Sequence, residues 1–66
     1  MSLEFKEATV REIKKLMDIL TKWGNVLVPG FGGVAQVSAQ DKLQHCVNSL
    51  LAYGLSMDDI QELIDK

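Results

Sequence analysis

The sequence predicts a mainly α fold: a single small domain over residues 1–66, in which three helices are joined by a glycine-rich, hairpin-like connection and then a tight turn. Three observations support this. Apolar residues recur at helical spacing in three stretches, helix start signals precede each stretch, and a glycine follows each of the first two. We expect helices at about residues 9–23, 38–53 and 56–65.

The first helix is predicted from an amphipathic stripe. Its apolar members lie three or four positions apart: Val10, Ile13, Leu16, Met17, Leu20 and Trp23. Thr9 with Glu12 three residues later has the form of a capping box, which favours a start at Val10, and Gly24 ends the helix. Residues 1–8 allow two interpretations, because Leu3 and Phe5 alternate with charged residues: a short strand, or an early turn of the same helix.

The second and third helices form the segment around which the rest of the chain is organised. Ser38 with Asp41, and Ser56 with Asp59, mark the two starts. Gly54 lies between the helices, where a left-handed residue closes the second one. Both helices carry apolar stripes: Leu43, Cys46, Val47, Leu50 and Leu51 on the second, and Met57, Ile60, Leu63 and Ile64 on the third.

The connection after the first helix has an unusual composition, because no charged residue occurs between Lys22 and Asp41. Residues 26–28 and 34–37 are rich in β-branched side chains and bracket a Gly/Pro cluster, which is typical of a small hairpin. Pro29-Gly30 suits the two central positions of a type II turn.

A second interpretation of this connection is a loop that ends at Gly33, with the second helix starting at Val34. The Ser38 signal favours the later start. We expect an ordered, mostly irregular connection with one or two short strands.

Length and composition restrict the class of protein. With one cysteine the chain forms no internal disulfide, and it has no apolar run long enough to span a membrane and no secretory pattern at its start. We therefore expect a cytoplasmic protein. So short a chain buries only part of its apolar surface, so self-association is also expected.

No catalytic, cofactor or metal site is predicted. Gly30 to Ala35 matches the G-x-G-x-x-A form of a dinucleotide fingerprint, but no second strand with an acidic end follows it. His45 and Cys46 are the single residues of their types and cannot supply the four ligands of a structural zinc site. Neighbours on a helix also point about 100° apart, so the two do not form a nucleophile–base pair. We expect no enzymatic activity and no small-molecule substrate.

The segment from Leu50 to Leu63 resembles the turn and second helix of helix-turn-helix DNA-binding domains. Gly54 matches the turn glycine, and Ile60 and Leu63 match buried positions of the following helix. The alanine usually found four residues before that glycine is Leu50 here. The same pattern occurs in antirepressor-like peptides that pair with a transcription regulator. Fewer than about twenty residues carry either resemblance, so neither identifies a family.

Charge opposes DNA binding by the third helix, which carries carboxylates where base and phosphate contacts call for Arg, Lys, Asn or Gln. Nucleic acid is therefore not expected as a partner. If the chain does bind DNA, the better candidate is the basic face of the first helix: Arg11, Lys14, Lys15 and Lys22.

The leading hypothesis is a non-enzymatic protein–protein interaction module, a small regulator or accessory subunit that binds another protein, itself, or both. The alternative is a DNA-binding regulator of helix-turn-helix type. The predicted interface combines aromatic and aliphatic residues with acidic residues of the last helix: Trp23, Val26, Leu27, Val28, Phe31, Asp58, Asp59 and Glu62.

Overall fold

The structure, a computed structural model, describes residues 3–33 and 35–66. The elements follow in this order: α1 (Leu3–Trp23), β1 (Leu27–Pro29), a 3₁₀ turn (Phe31–Gly33), β2 (Gln36–Ser38), α2 (Ala39–Ala52) and α3 (Met57–Asp65). The predicted mainly α fold with three helices and a small hairpin is confirmed. Residues 1, 2 and 34, which belong to the predicted N-terminal segment and second strand, lie outside the described residues.

Helix α1 begins at Leu3, six residues before the predicted boundary at Thr9. Thr9 does not cap a helix, because its hydroxyl donates a 2.8 Å hydrogen bond to the Phe5 carbonyl oxygen one turn earlier. A threonine inside a helix satisfies its hydroxyl in this way, so the Thr–Glu spacing does not by itself mark a start. Of the two interpretations of residues 1–8, the early helical turn is correct for residues 3–8.

The other helix boundaries lie within one residue of the prediction. Gly24 and Gly54 have φ of 75° and 98°, the left-handed conformation expected after a helix end. Ser38 is the N-cap of α2, and its hydroxyl accepts a 3.2 Å hydrogen bond from the Asp41 N–H. A start of the second helix at residue 34 is therefore wrong.

Strands β1 and β2 are antiparallel, with Leu27 opposite Ser38 and Val28 opposite Val37. Val28 is buried while Leu27 is exposed, because successive side chains on a strand point to opposite faces. This two-stranded sheet is too small to be stable alone, so its position depends on the helices beneath it.

The turn of the hairpin differs from the predicted type II turn. Pro29 lies in β1 opposite Gln36, and Gly30 is not among the glycines with positive φ. The chain reverses instead through the 3₁₀ turn, where Gly32 has φ of 78°. Pro29 fits an edge strand because it has no N–H to donate, so the proline is used to end the strand rather than to open the turn.

Helices α1 and α2 pack side by side in opposite directions. Phe5 near the start of α1 contacts Tyr53 at the end of α2, and Asn25 just after α1 contacts Gln40 at the start of α2. Between these ends a 3.1 Å ion pair joins Glu12 to Lys42. Helix and hairpin residues together form the buried core: Val10, Ile13, Leu16, Val28, Ala39, Cys46, Leu50 and Ile60.

Candidate interaction surface

Two highly exposed apolar side chains, one at the end of α1 and one at the start of β1, flank one tight turn. Trp23 is 73% exposed and Leu27 is 65% exposed, and Val26 between them is also exposed. The Val26 N–H donates a 3.0 Å hydrogen bond to the Gly24 carbonyl oxygen, which folds the chain sharply between Trp23 and Leu27. We call Trp23, Val26 and Leu27 the turn surface.

The turn surface is held against the start of α2 by backbone and side-chain hydrogen bonds. The Ala39 N–H donates to the Val26 carbonyl oxygen at 2.8 Å, and the Gln40 N–H donates to Asn25 Oδ1 at 3.1 Å. Together with Ser38, these acceptors satisfy the first N–H groups of α2, which have no partner inside the helix. The apolar side chains are therefore exposed on a segment whose backbone is fixed.

Two further residues of the predicted interface have different surroundings. Val28 is 8% exposed and belongs to the core, so it does not contribute to the surface of the isolated chain. Phe31, at the tip of the hairpin, is half exposed and packs its ring on His45 of α2, with ring centroids 4.0 Å apart. The exposed edge of Phe31 extends the uncharged surface along the hairpin.

The acidic residues of the predicted interface, Asp58, Asp59 and Glu62, lie on α3 and are exposed. Helix α3 starts next to the end of α2, whereas Trp23 lies next to its beginning. The length of α2, about 20 Å, separates the two groups. The structure therefore does not bring the apolar and acidic parts of the predicted interface together.

The first turn of α3 is fixed by a complete capping box. Ser56 Oγ accepts from the Asp59 N–H, and the Ser56 N–H donates to Asp59 Oδ2, both at 3.1 Å. Hydrogen bonding of the Asp59 carboxyl to the Ser56 N–H, and secondly to the Ser56 side chain, holds the pKa of that carboxyl below its usual value. The carboxylate is thus charged throughout the neutral range while serving as a cap.

A second exposed apolar group, at the α3 end, was not part of the predicted interface. Phe5 and Tyr53 have ring centroids 4.7 Å apart, and Met57 is 59% exposed. The sequence indicates this group only through Tyr53, the aromatic residue at the end of the second helix. Its partner Phe5 lies in the N-terminal segment, for which the sequence allows two interpretations. Next to it, an open groove of about 480 Å³ lies between α1 and α3, with Val10 and Leu63 among its lining residues.

The two residues considered for reactive or metal chemistry have structural surroundings. Cys46 is a free, buried thiol, and burial raises its pKa. The Glu12 carboxylate raises that pKa further, while Lys42 opposes this effect. His45, the residue before Cys46, packs against Phe31. Within residues 3–33 and 35–66, no three His, Cys, Asp or Glu side chains are grouped so as to hold a metal ion.

The glycine motif occupies the hairpin turn and does not lie at the start of a helix. Gly30 follows β1, and its N–H donates to the carbonyl oxygen of Ala35, just before β2. A dinucleotide fingerprint instead needs a strand that runs directly into a helix, so that the pyrophosphate meets helix N–H groups. The glycines here serve the turn geometry.

Comparison with known proteins finds no matching family model, no matching curated protein and no matching solved structure. In the described part of the chain, no helix combines the length and the apolar character required to cross a membrane. Arguments about function therefore depend on the surfaces described above.

Proposed function

We propose that this protein is a non-enzymatic protein–protein interaction module, a small cytoplasmic regulator or accessory subunit that also associates with itself. The observation that carries the proposal is the turn surface. A tryptophan and a leucine are exposed on a fixed backbone, in a stretch of chain without charge. The buried free thiol of Cys46 is suited to a reducing compartment.

The turn surface differs from ordinary exposed apolar residues in its position and rigidity. Single exposed aliphatic side chains are normal on protein surfaces, but a cluster that includes tryptophan is typical of contact sites. Tryptophan is also among the residues that contribute most to binding energy. Because the Asn25 side chain and the Val26 carbonyl oxygen both accept hydrogen bonds from the start of α2, little conformational entropy of this segment remains to be lost on binding.

The proposed mechanism is burial of the turn surface against a partner, with the acidic α3 acting at a distance. Burial of apolar surface contributes about 25 cal/mol per Å². Asp58, Asp59 and Glu62 are exposed and about 20 Å away along α2. Such charges affect the association rate and the choice of partner more than the affinity itself. A partner with a basic region beside an apolar one fits this arrangement.

The test combines light scattering across micromolar concentrations with binding of an apolar-surface dye. We expect a mass that rises with concentration and a clear dye signal, and both should fall in Trp23→Ser. Met57→Ser is the matched control, since Met57 is also exposed but lies at the α3 end. A strictly monomeric mass together with no dye signal would contradict the proposal.

The second candidate function is DNA binding by a helix-turn-helix pair. One observation favours it: α2 and α3 are joined through Gly54 in a left-handed conformation, and Ile60 is buried at the position that packs this motif. Four carboxylates on α3 oppose contact with phosphates. A mobility shift with duplex DNA at low salt separates the two functions. We expect none, and a shift that weakens with salt would favour the DNA-binding function.

A further inference from the structure

The hydrogen-bond pattern of the hairpin fixes which backbone groups of β1 point outward. Hydrogen-bonded and non-hydrogen-bonded pairs alternate along antiparallel strands. Ala39 N–H donates to Val26 and Gly30 N–H donates to Ala35, so these flanking pairs are hydrogen-bonded. In the register of β1 and β2, Leu27 opposite Ser38 is then a non-hydrogen-bonded pair. The N–H and C=O of Leu27 therefore point away from β2.

The outer edge of β1 coincides with the turn surface. The sheet formed by the described residues has two strands, so β1 is an edge strand. Its outward groups are the N–H and C=O of Leu27 and the C=O of Pro29, since proline has no N–H. Leu27 carries the exposed side chain as well. Unpaired backbone groups and an apolar side chain thus occur at one residue, the arrangement by which edge strands pair with other chains.

We propose that two copies of this chain pair through the β1 edge, antiparallel and about a two-fold axis at Leu27, to form a four-stranded sheet. This inference rests on the proposed function and specifies its partner and contact. In this register Leu27 N–H donates to Leu27 C=O of the second copy, and the reverse bond also forms. The alternative register, with Leu27 opposite Pro29, leaves both Leu27 carbonyl groups without a donor, because proline cannot provide one.

The charge distribution favours a second copy as the occupant. Every one of the 16 charged residues (7 basic and 9 acidic) lies outside the stretch between Lys22 and Asp41. Two chains of net charge −2 therefore meet with the least repulsion at this stretch, and an isologous contact requires only that the surface be complementary to itself. Pro29 limits the pairing to the neighbourhood of Leu27, so the pair is closed and does not extend along the edge.

The area available sets the expected strength. A tryptophan side chain buries about 150–250 Å². A pair that covers Trp23, Val26 and Leu27 of both copies therefore buries on the order of 1,000 Å² in total, which is near the lower bound for a specific interface. We expect a dimer that dissociates in the micromolar range.

Disulfide trapping tests the axis directly. In the proposed register the two Leu27 Cα atoms lie about 5.5 Å apart, within the range that a disulfide spans. In a Cys46→Ala background, Leu27→Cys should form a covalent dimer under a glutathione buffer at least tenfold more readily than Met57→Cys. Met57 provides the control because its exposure, 59%, is close to the 65% of Leu27. Denaturant should abolish the difference.

A charge substitution gives an independent measurement. Leu27→Glu places two carboxylates against each other at the axis and should weaken the dimer at least tenfold in light scattering, while Met57→Glu should not. Circular dichroism verifies that each variant is folded. If the wild type forms a dimer but Leu27→Cys is trapped no better than Met57→Cys, the edge pairing is overturned and self-association stands.

The remaining outcomes separate this inference from the proposed function. A wild-type chain that stays monomeric but binds the apolar dye would overturn the second copy as the occupant, while the function as a module for another protein would stand. A monomer without dye binding would overturn both.

Discussion

A helix begins at each end of the α1–α2 pair, and the two helix starts are capped in different ways. Helix α2 begins at the hairpin end, and α3 begins at the opposite end, called the α3 end. At the hairpin end, the first N–H groups of α2 bond to the Val26 carbonyl, the Asn25 side chain and the Ser38 hydroxyl. At the α3 end, the first turn is capped by the reciprocal hydrogen bonds of Ser56 and Asp59 alone. One start depends on residues up to fifteen positions away in the chain, and the other on a local pair.

The same two ends differ in the exposure of their apolar side chains. At the α3 end, Ile60 is 2% exposed, and the partly exposed rings of Phe5 and Tyr53 pack against each other. At the hairpin end the backbone is fixed by the capping bonds, but Trp23 and Leu27 remain open. Because these hydrogen bonds and the buried Val28 hold the segment in place, the side chains of Trp23 and Leu27 are not needed for folding and are available for binding.

The largest expected effect compares one residue from each end. Ile60→Ala removes a fully buried side chain that anchors α3 to the core and should lower the free energy of unfolding by about 2–5 kcal/mol. Leu27→Ala should change it by only about 0.5 kcal/mol at concentrations where the chain is monomeric. Urea unfolding followed by far-UV circular dichroism measures both. Similar losses for the two variants would mean that the turn surface belongs to the core.

Glycines at the two ends give the next comparison. A Cβ at Gly30 would collide with the carbonyl group of Ala35, which also accepts the Gly30 N–H bond, and backbone atoms cannot move away without breaking the hairpin. Gly30→Ala should therefore destabilise by about 1–3 kcal/mol through overpacking. At Gly54 the space is open, but φ of 98° disfavours a side chain, at about 1–2 kcal/mol.

Gly30→Ala should also alter binding, so the two glycine variants should differ in self-association as well as in stability. Loss of the Gly30 bond shifts β1, so Gly30→Ala should reduce both self-association and dye binding, whereas Gly54→Ala should leave them unchanged in the folded fraction. Light scattering at a concentration above the wild-type dissociation constant measures this. If Gly54→Ala weakened association as strongly, the interface would not be confined to the hairpin end.

This contrast also explains which features could be predicted from the sequence. Gly24, Gly54, Ser38 and Ser56 act on neighbours within four residues, so their local patterns gave helix boundaries that the structure confirms. The prediction of a helix start at Thr9 is wrong because its hydroxyl has two local options, a cap or a bond to the preceding turn. Only the surrounding helix decides between them.

Features that depend on distant residues were not accessible from the sequence. Asn25 capping α2, and Phe5 packing on Tyr53, each join segments that no spacing relates. The preferred φ of Pro29 suits a turn as well as an edge strand, and only the pairing with Gln36 selects the strand. The aromatic and aliphatic residues of the candidate surface were predicted, but the burial of Val28 depends on which strand face meets the helices.

Removing one cap at each end gives a smaller effect. Asn25→Ala and Ser56→Ala each delete a side-chain acceptor for a helix N–H group and should each lower the free energy of unfolding by about 1 kcal/mol. Only Asn25→Ala should also weaken self-association, because it releases the segment that carries Leu27. Comparison of urea midpoints with light-scattering masses checks both statements. Equal association in the two variants would show that the cap does not hold the surface in place.

The smallest expected effect is a pH dependence confined to the α3 end. Because hydrogen bonds from Ser56 lower the pKa of Asp59 in the folded chain, its charge stabilises the fold above the ordinary value of 3.8, and this contribution is lost as pH falls through the lower folded pKa. Asp59→Asn keeps the shape without the charge. The difference in melting temperature between wild type and this variant should be constant from pH 7 to about pH 5 and should vanish in acid. A difference that persists at pH 2, where Asp59 has lost its charge, would mean that this charge does not account for the stabilisation.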